Sequence, residues 1–181
     1  MGIIDWLFPS TRPARYASVP LASPITSAPQ VLQLKLVPKI FDLEGDGDLI
    51  WTGFMVEDQE GNRYGIGDPL LAKNNFHVFR VAGVSHRSKQ LQNEVFAPAT
   101  LVELVKEDSN PYDKRAVSVW DSNKKLMVGY VPREDAAAVR RTMASRPESK
   151  ALIIAHCMKK KKRIALRILF GPLDGLAQRT D

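Results

Sequence analysis

Glu107-Asp108-Ser109-Asn110-Pro111-Tyr112-Asp113-Lys114-Arg115-Ala116-Val117-Ser118-Val119 joins two stretches of strand character. Before it, Thr100 to Lys106 alternates Leu101, Glu103 and Val105 with Val102, Leu104 and Lys106; after it, Ala116 to Trp120 is rich in β-branched residues. Pro111 fixes its own φ and pushes Asn110 out of the helical region, while Asn110 and Asp113 can bond nearby backbone amides. A short connection needs no more than that. This one also packs a phenol, a carboxylate, a carboxamide and two cations, Lys114 and Arg115, into six residues. Loops held by rigid strands are where function concentrates.

Outward from this turn, the pattern stays strand-like. Upstream, Phe76 to Val84 alternates and then meets Gly83, and a polar loop from Ser85 to Pro98 follows, with His86, Arg87 and Lys89. Downstream, Asp121 to Lys125 turns the chain into a return strand, Leu126 to Val131. Pro132-Arg133-Glu134-Asp135 then opens a helix, with acids at the positive end of its dipole and Ala136, Val139 and Met143 on one face. Ala151 to Met158 and Ile164 to Phe170 are two more strands, joined by Lys159-Lys160-Lys161-Lys162-Arg163. Residues 31–75 read as a further β-rich segment: Leu32, Leu34 and Leu36 alternate, Leu49 to Val56 is apolar, and Asp58 to Asn62 forms a hairpin turn. Residues 1–30 are an extended Pro/Ser/Ala-rich tail and 171–181 a C-terminal tail. Many strands and one short helix predict a mainly β, α+β fold: a small six-stranded barrel over 76–170.

Charge is unevenly spread over the 181 residues. Residues 1–75 carry a balance of −3 and residues 76–181 a balance of +9, within an overall +6. A basic second half is the footprint expected of a phosphate-bearing partner, although a merely soluble basic domain has the same composition. Cys157 is the one cysteine, so the chain forms no internal disulfide or thiolate cluster; it reads as a buried small hydrophobe in a reducing cytoplasm. No stretch approaches the length of a membrane span, and the patch Ile3 to Phe8 is too short for a secretory core. Asp42, Glu44, Asp46 and Asp48 imitate the start of a calcium loop, but Gly53 stands where the closing glutamate belongs. Gly65-Ile66-Gly67 lacks the third glycine of a dinucleotide fingerprint and reads as a turn. Three scattered histidines do not suggest zinc, so no metal and no cofactor are expected.

The order Val81 to Val84, Leu101 to Val105, Asn110-Pro111-Tyr112-Asp113, Ala116 to Val119 and Val128-Gly129-Tyr130-Val131-Pro132-Arg133 resembles the HIRAN domain, over about residues 76–170. The resemblance implies an oligonucleotide-binding-like or SH3-like six-stranded β-barrel with a helix. It also implies a non-catalytic module that binds single-stranded DNA and holds its free 3′-hydroxyl, in repair or at stalled replication forks. The family's pocket then falls on Asn110, Tyr112 and Asp113, with the Asp113 carboxylate accepting from the terminal hydroxyl, Tyr112 walling in the end nucleotide, and Tyr130 and Arg133 near phosphates. Where the family has an arginine and an aromatic ring after the glycine, this chain has Ser85 and His86, with Arg87 next. His86 can still stack on a base; Arg87 can supply the charge only if the strand does not continue and aim it at the opposite face. Lys114, Lys160 and Lys161 complete the expected DNA contacts. No Gly-x-x-x-x-Gly-Lys-Ser/Thr loop is present, so a helicase, translocase or nuclease would be a separate partner chain.

Each of these residues also has a plainer reading. Asp113 can be an Asx-turn residue, Tyr112 a ring lying over the barrel mouth, and Lys159 to Arg163 a solvated hairpin tip. The rival function is a β-barrel adaptor for a protein partner, without nucleic-acid binding. Hydrolysis is the weakest reading, since no nucleophile–base pair is apparent.

Overall fold

The computed structural model describes residues 32–42 and 49–176. The proline-rich tail, the acidic run 43–48 with its calcium-like spacing, and residues 177–181 lie outside the described residues.

Among the described residues, nine antiparallel strands form one sheet: β1 (Leu34–Asp42), β2 (Leu49–Asp58), β3 (Arg63–Tyr64), β4 (His77–Arg80), β5 (Leu101–Lys106), β6 (Val117–Asp121), β7 (Met127–Tyr130), β8 (Lys150–Lys159) and β9 (Lys162–Gly171). The path runs β1-β2-β8-β5-β6-β7, with β9 on the other side of β8 and β4 beyond β9. β8 is long enough for two strands to share one of its edges. Leu101 and Val102 of β5 pair near its start, and Leu49 to Gly53 of β2 pair near its end. The strands before residue 76 and those after it therefore belong to the same sheet.

A closed six-stranded barrel is not what forms. Among the described residues β7 and β4 share no ladder; the isolated bridge Ala82–Tyr130 is their contact, with N–H···O distances of 2.8 and 2.9 Å in the two directions. The reason lies in the chain between them. β4 ends at Arg80, and at Gly83 the backbone takes φ 73°, turning into a 3-10 segment, Val84–Arg87. One residue is left to face β7. Even that contact needs Gly129, because a Cβ there would meet Ala82 O at 2.3 Å and Val81 Cγ1 at 2.6 Å.

Apolar side chains are buried on both faces of β8, β9 and the middle of β4, so the centres of β8 and β9 read as largely apolar runs. Phe79, Val81, Ile153, Leu166 and Ile168 point to one side, into a core shared with Phe96, Val117, Val119, Val128 and Val139. Their neighbours Val78, Ile154 and Leu169 point to the other, where Leu34, Val56, Tyr64, Leu71 and Phe76 cover them. The Asp68-Pro69 start of α1 (Pro69–Lys73) is a sequence-legible cap: Asp68 Oδ1 accepts the Leu70 N–H at 2.8 Å. α2 (Ser88–Leu91) lies in the loop expected to be irregular. α3 (Arg133–Ser145) is the expected helix, burying Ala136, Val139 and Thr142, with Met143 packed beside them.

Candidate nucleic-acid interface

The turn between β5 and β6 is built by its own side chains. Asn110 Oδ1 accepts the N–H groups of Tyr112 at 2.9 Å and Asp113 at 3.1 Å, and Asn110 Nδ2 donates to Glu107 Oε2 at 2.8 Å. Asp113 Oδ1 accepts the Arg115 N–H at 2.8 Å. These are nested Asx turns, the local chemistry for which Asn and Asp are suited. Asp113 is thus a turn residue, as the plainer reading had it, but only one of its oxygens is used that way. Oδ2 faces the Arg133 guanidinium, with Nε at 3.4 Å. Arg133 opens α3 with its side chain 75% exposed, and a cation there opposes the helix dipole.

Between the turn, β7 and the start of α3 lies a cleft of about 290 Å³, lined by Asn110, Tyr112, Asp113, Tyr130, Arg133 and a floor of small residues, among them Ala82, Ala116 and Ala136. Five residues singled out by sequence meet here, from three separate elements. Tyr112 is 92% exposed, so its ring packs over nothing and stands at the rim. The Tyr130 hydroxyl sits 3.5 Å from Glu107 Oε2; burial first, then the Glu107 charge, pushes its pKa up and keeps it a neutral donor. A second cleft of the same volume, between β5 and the start of β8, contains none of the residues the sequence singled out.

The other sequence candidates take different positions. Lys114 is exposed on the turn itself. His86 and Arg87 lie on the 3-10 segment beside Gly83, whose Cα stands near Tyr130: a Cβ there would come 4.0 Å from the ring. The strand does not continue, so the alternation that would have aimed Arg87 away does not apply. Arg87 is close enough for its charge to lower the Tyr130 hydroxyl's pKa, opposing burial. Lys160 and Lys161 form the two-residue tip of the β8–β9 hairpin, Lys161 five residues before Leu166, whose carbonyl accepts the Val81 N–H. That is roughly 17 Å of strand from the cleft's edge. Glu107 and Arg115 were not singled out as site residues. Glu107 was detectable, since it stands three residues before Asn110 and closes the same turn; its N–H also bonds Ala116 O across the β5–β6 ends.

A family model described as the HIRAN domain matches residues 74–170, more than half of the chain. The chain belongs to the HIRAN domain family. HIRAN domains are known as DNA-binding modules. Among solved structures, the HIRAN domain of human HLTF is 21% identical, covering 55% of this chain and 78% of that one with a TM-score of 0.38. No curated protein matches. The matched HIRAN stretch contains the whole cleft and leaves β1, β2, β3 and α1 outside it. Among the described residues no helix is long and apolar enough to cross a membrane.

Proposed function

We propose that this protein binds single-stranded DNA and holds its free 3′-hydroxyl end in the Asp113 cleft, as a non-catalytic module in DNA repair or replication-fork processing. The observation that carries this reading is the Asp113 carboxylate at the cleft, with one oxygen tied to the turn and the other facing the exposed Arg133. Asp113 is an anion in a site where a nucleic acid brings more anions, and only one of its oxygens serves the turn. The other faces the Arg133 guanidinium at 3.4 Å and keeps a further lone pair, to which a sugar hydroxyl in the cleft can donate. Tyr112, exposed at the rim, offers a face for the terminal base, and such stacking is worth about 1–3 kcal/mol per base whatever the base. Arg133, and Arg87 near Tyr130, supply cations for the adjoining phosphates.

A strand ending in 3′-phosphate brings like charge against Asp113 and is rejected. Fluorescence polarisation with single strands ending in 3′-hydroxyl or 3′-phosphate is the test. The hydroxyl form binds the wild type at least tenfold tighter, on the order of a single charge-pair penalty, and the difference collapses in Asp113→Asn. Equal binding of the two ends by the wild type overturns end recognition. A separate helicase, translocase or nuclease would then act on the strand this module presents.

A further inference from the structure

Outside the cleft, one face of β4 and β9 carries two cations, Arg80 and Arg167, and among the described residues no acid pairs with either. Arg80 and Arg167 stand directly opposite each other in the β4–β9 ladder, an arrangement in which like charges repel. Both guanidinium groups lie over one indole, Trp51 of β2, at 5.8 Å for Arg80 and 4.8 Å for Arg167. That distance suits a cation on an aromatic face, and a stacked guanidinium keeps its edge N–H groups free to bind an anion. Trp51 is only 7% exposed, so it serves as the support while Arg80 is exposed above it. Among the described residues neither arginine pairs with a carboxylate, and Arg167 Nε is buried without an acceptor. A buried donor with no partner and two uncompensated charges together mark a place where the free protein lacks something. Burial, and then the Arg80 charge, also holds the Arg167 pKa down, and an anion would relieve both.

The position of this pair relative to the cleft gives it a use. Val78, Arg80 and Ala82 share one face by strand alternation, and Ala82 lines the cleft. Arg80 is two residues from it, about 6.7 Å along the chain. We propose that Trp51, Arg80 and Arg167 form a second phosphate site, which takes backbone phosphates of the strand whose end lies in the cleft. The inference rests on the nucleic-acid reading of that cleft. It lays the strand along that face of β4 toward β2, and it assigns the segment before the family-matched residues a part in binding, because Trp51 comes from that segment.

Polarisation of the full chain with single strands of about 3 and about 10 nucleotides separates the two sites. The wild type binds the longer strand more tightly. Arg80→Gln, an exposed change that leaves the core alone, weakens the longer strand about fivefold and makes the slope of log K against log salt shallower by about 0.7. The same variant leaves the shorter strand unchanged. Arg167→Gln does the same with some loss of folding stability, so Arg80→Gln decides. Unchanged affinity and slope for the longer strand in Arg80→Gln overturn the second site, as does a wild type that gains nothing from length. A wild type that binds neither strand overturns the nucleic-acid reading itself.

Discussion

At the scale of single residues, Asn110 acts through what it holds in place. Its oxygen accepts two backbone N–H groups and its nitrogen reaches Glu107, so most of the carboxamide is engaged inside the turn. Replacing it leaves two amides short of an acceptor and frees Asp113 to move. Asn110→Ala should therefore cost about 1–2 kcal/mol in urea unfolding, and weaken binding of 3′-hydroxyl strands through misplacement of Asp113. Lost affinity with an unchanged unfolding midpoint would mean that Asn110 contacts the ligand directly instead. The residue types of this site were legible, because six chemically varied residues between two strands exceed what a turn requires. The division of labour among them was not. Sequence alone does not say that one Asp113 oxygen serves the turn while the other faces Arg133, since that depends on which way a carboxylate rotates after the backbone has closed.

At the scale of elements, two hairpins make separate predictions. The β8–β9 tip holds Lys160 and Lys161 at φ 46° and 64°, left-handed values at which a two-residue hairpin loop ordinarily places Asn or Gly. Lys161→Gly removes that strain and should raise stability by about 1 kcal/mol, roughly 2–4 °C in melting temperature for a chain of this size. If the tip also touches DNA phosphate, the same variant lowers the salt slope of binding by about 0.7; an unchanged slope confines the lysines to a solvated turn. In the β2–β3 hairpin, Tyr64 donates to buried Asp58 at 2.6 Å, and Asn62 donates twice more at 2.8 Å. The Tyr64 bond foremost lowers the Asp58 pKa to about 2, and Asp58 in turn raises that of Tyr64 to about 12. A lowered carboxyl stabilises the fold above its usual pKa near 4 and loses that contribution as pH falls toward 2. A raised phenol stabilises it below about 10 and loses that contribution as pH climbs toward 12. Tyr64→Phe should thus move acid unfolding, followed by circular dichroism, to higher pH and abolish the alkaline loss. The strands around both hairpins were legible from their apolar stretches and turn residues within a residue or two. The short helical pieces at 84–96 were hidden, because segments of three or four residues are too short to show a period.

At the scale of the molecule, the sequence shows two halves and the structure one sheet. The acidic first part and the basic second part differ in charge, and the family match begins at residue 74, so composition suggests an appendage joined to a domain. Leu49–Gly53 pairs with Ala155–Lys159 across that boundary, and no local pattern encodes which of two strands will share an edge of β8. The consequence concerns stability. Leu34, Val56, Tyr64 and Leu71 from the first part cover Phe76, Val78, Ile154 and Leu169 from the second. Covering four large apolar side chains is worth roughly 6–12 kcal/mol at about 1.5–3 each, as much as the whole stability of an ordinary domain. A chain beginning at residue 74 keeps the entire cleft but uncovers that face and the Ala155–Lys159 end of one edge of β8. It should therefore fail to unfold cooperatively, and it should bind a dye for exposed apolar surface, where a chain of residues 32–181 melts in one transition. If the shorter chain melts sharply and near the same temperature, the first part is an appendage after all. In that case Trp51 would be the only residue of it with a part in the proposed strand path, and Trp51→Ala in the full chain would then reduce the length-dependent gain in affinity while leaving the melting temperature almost where it was.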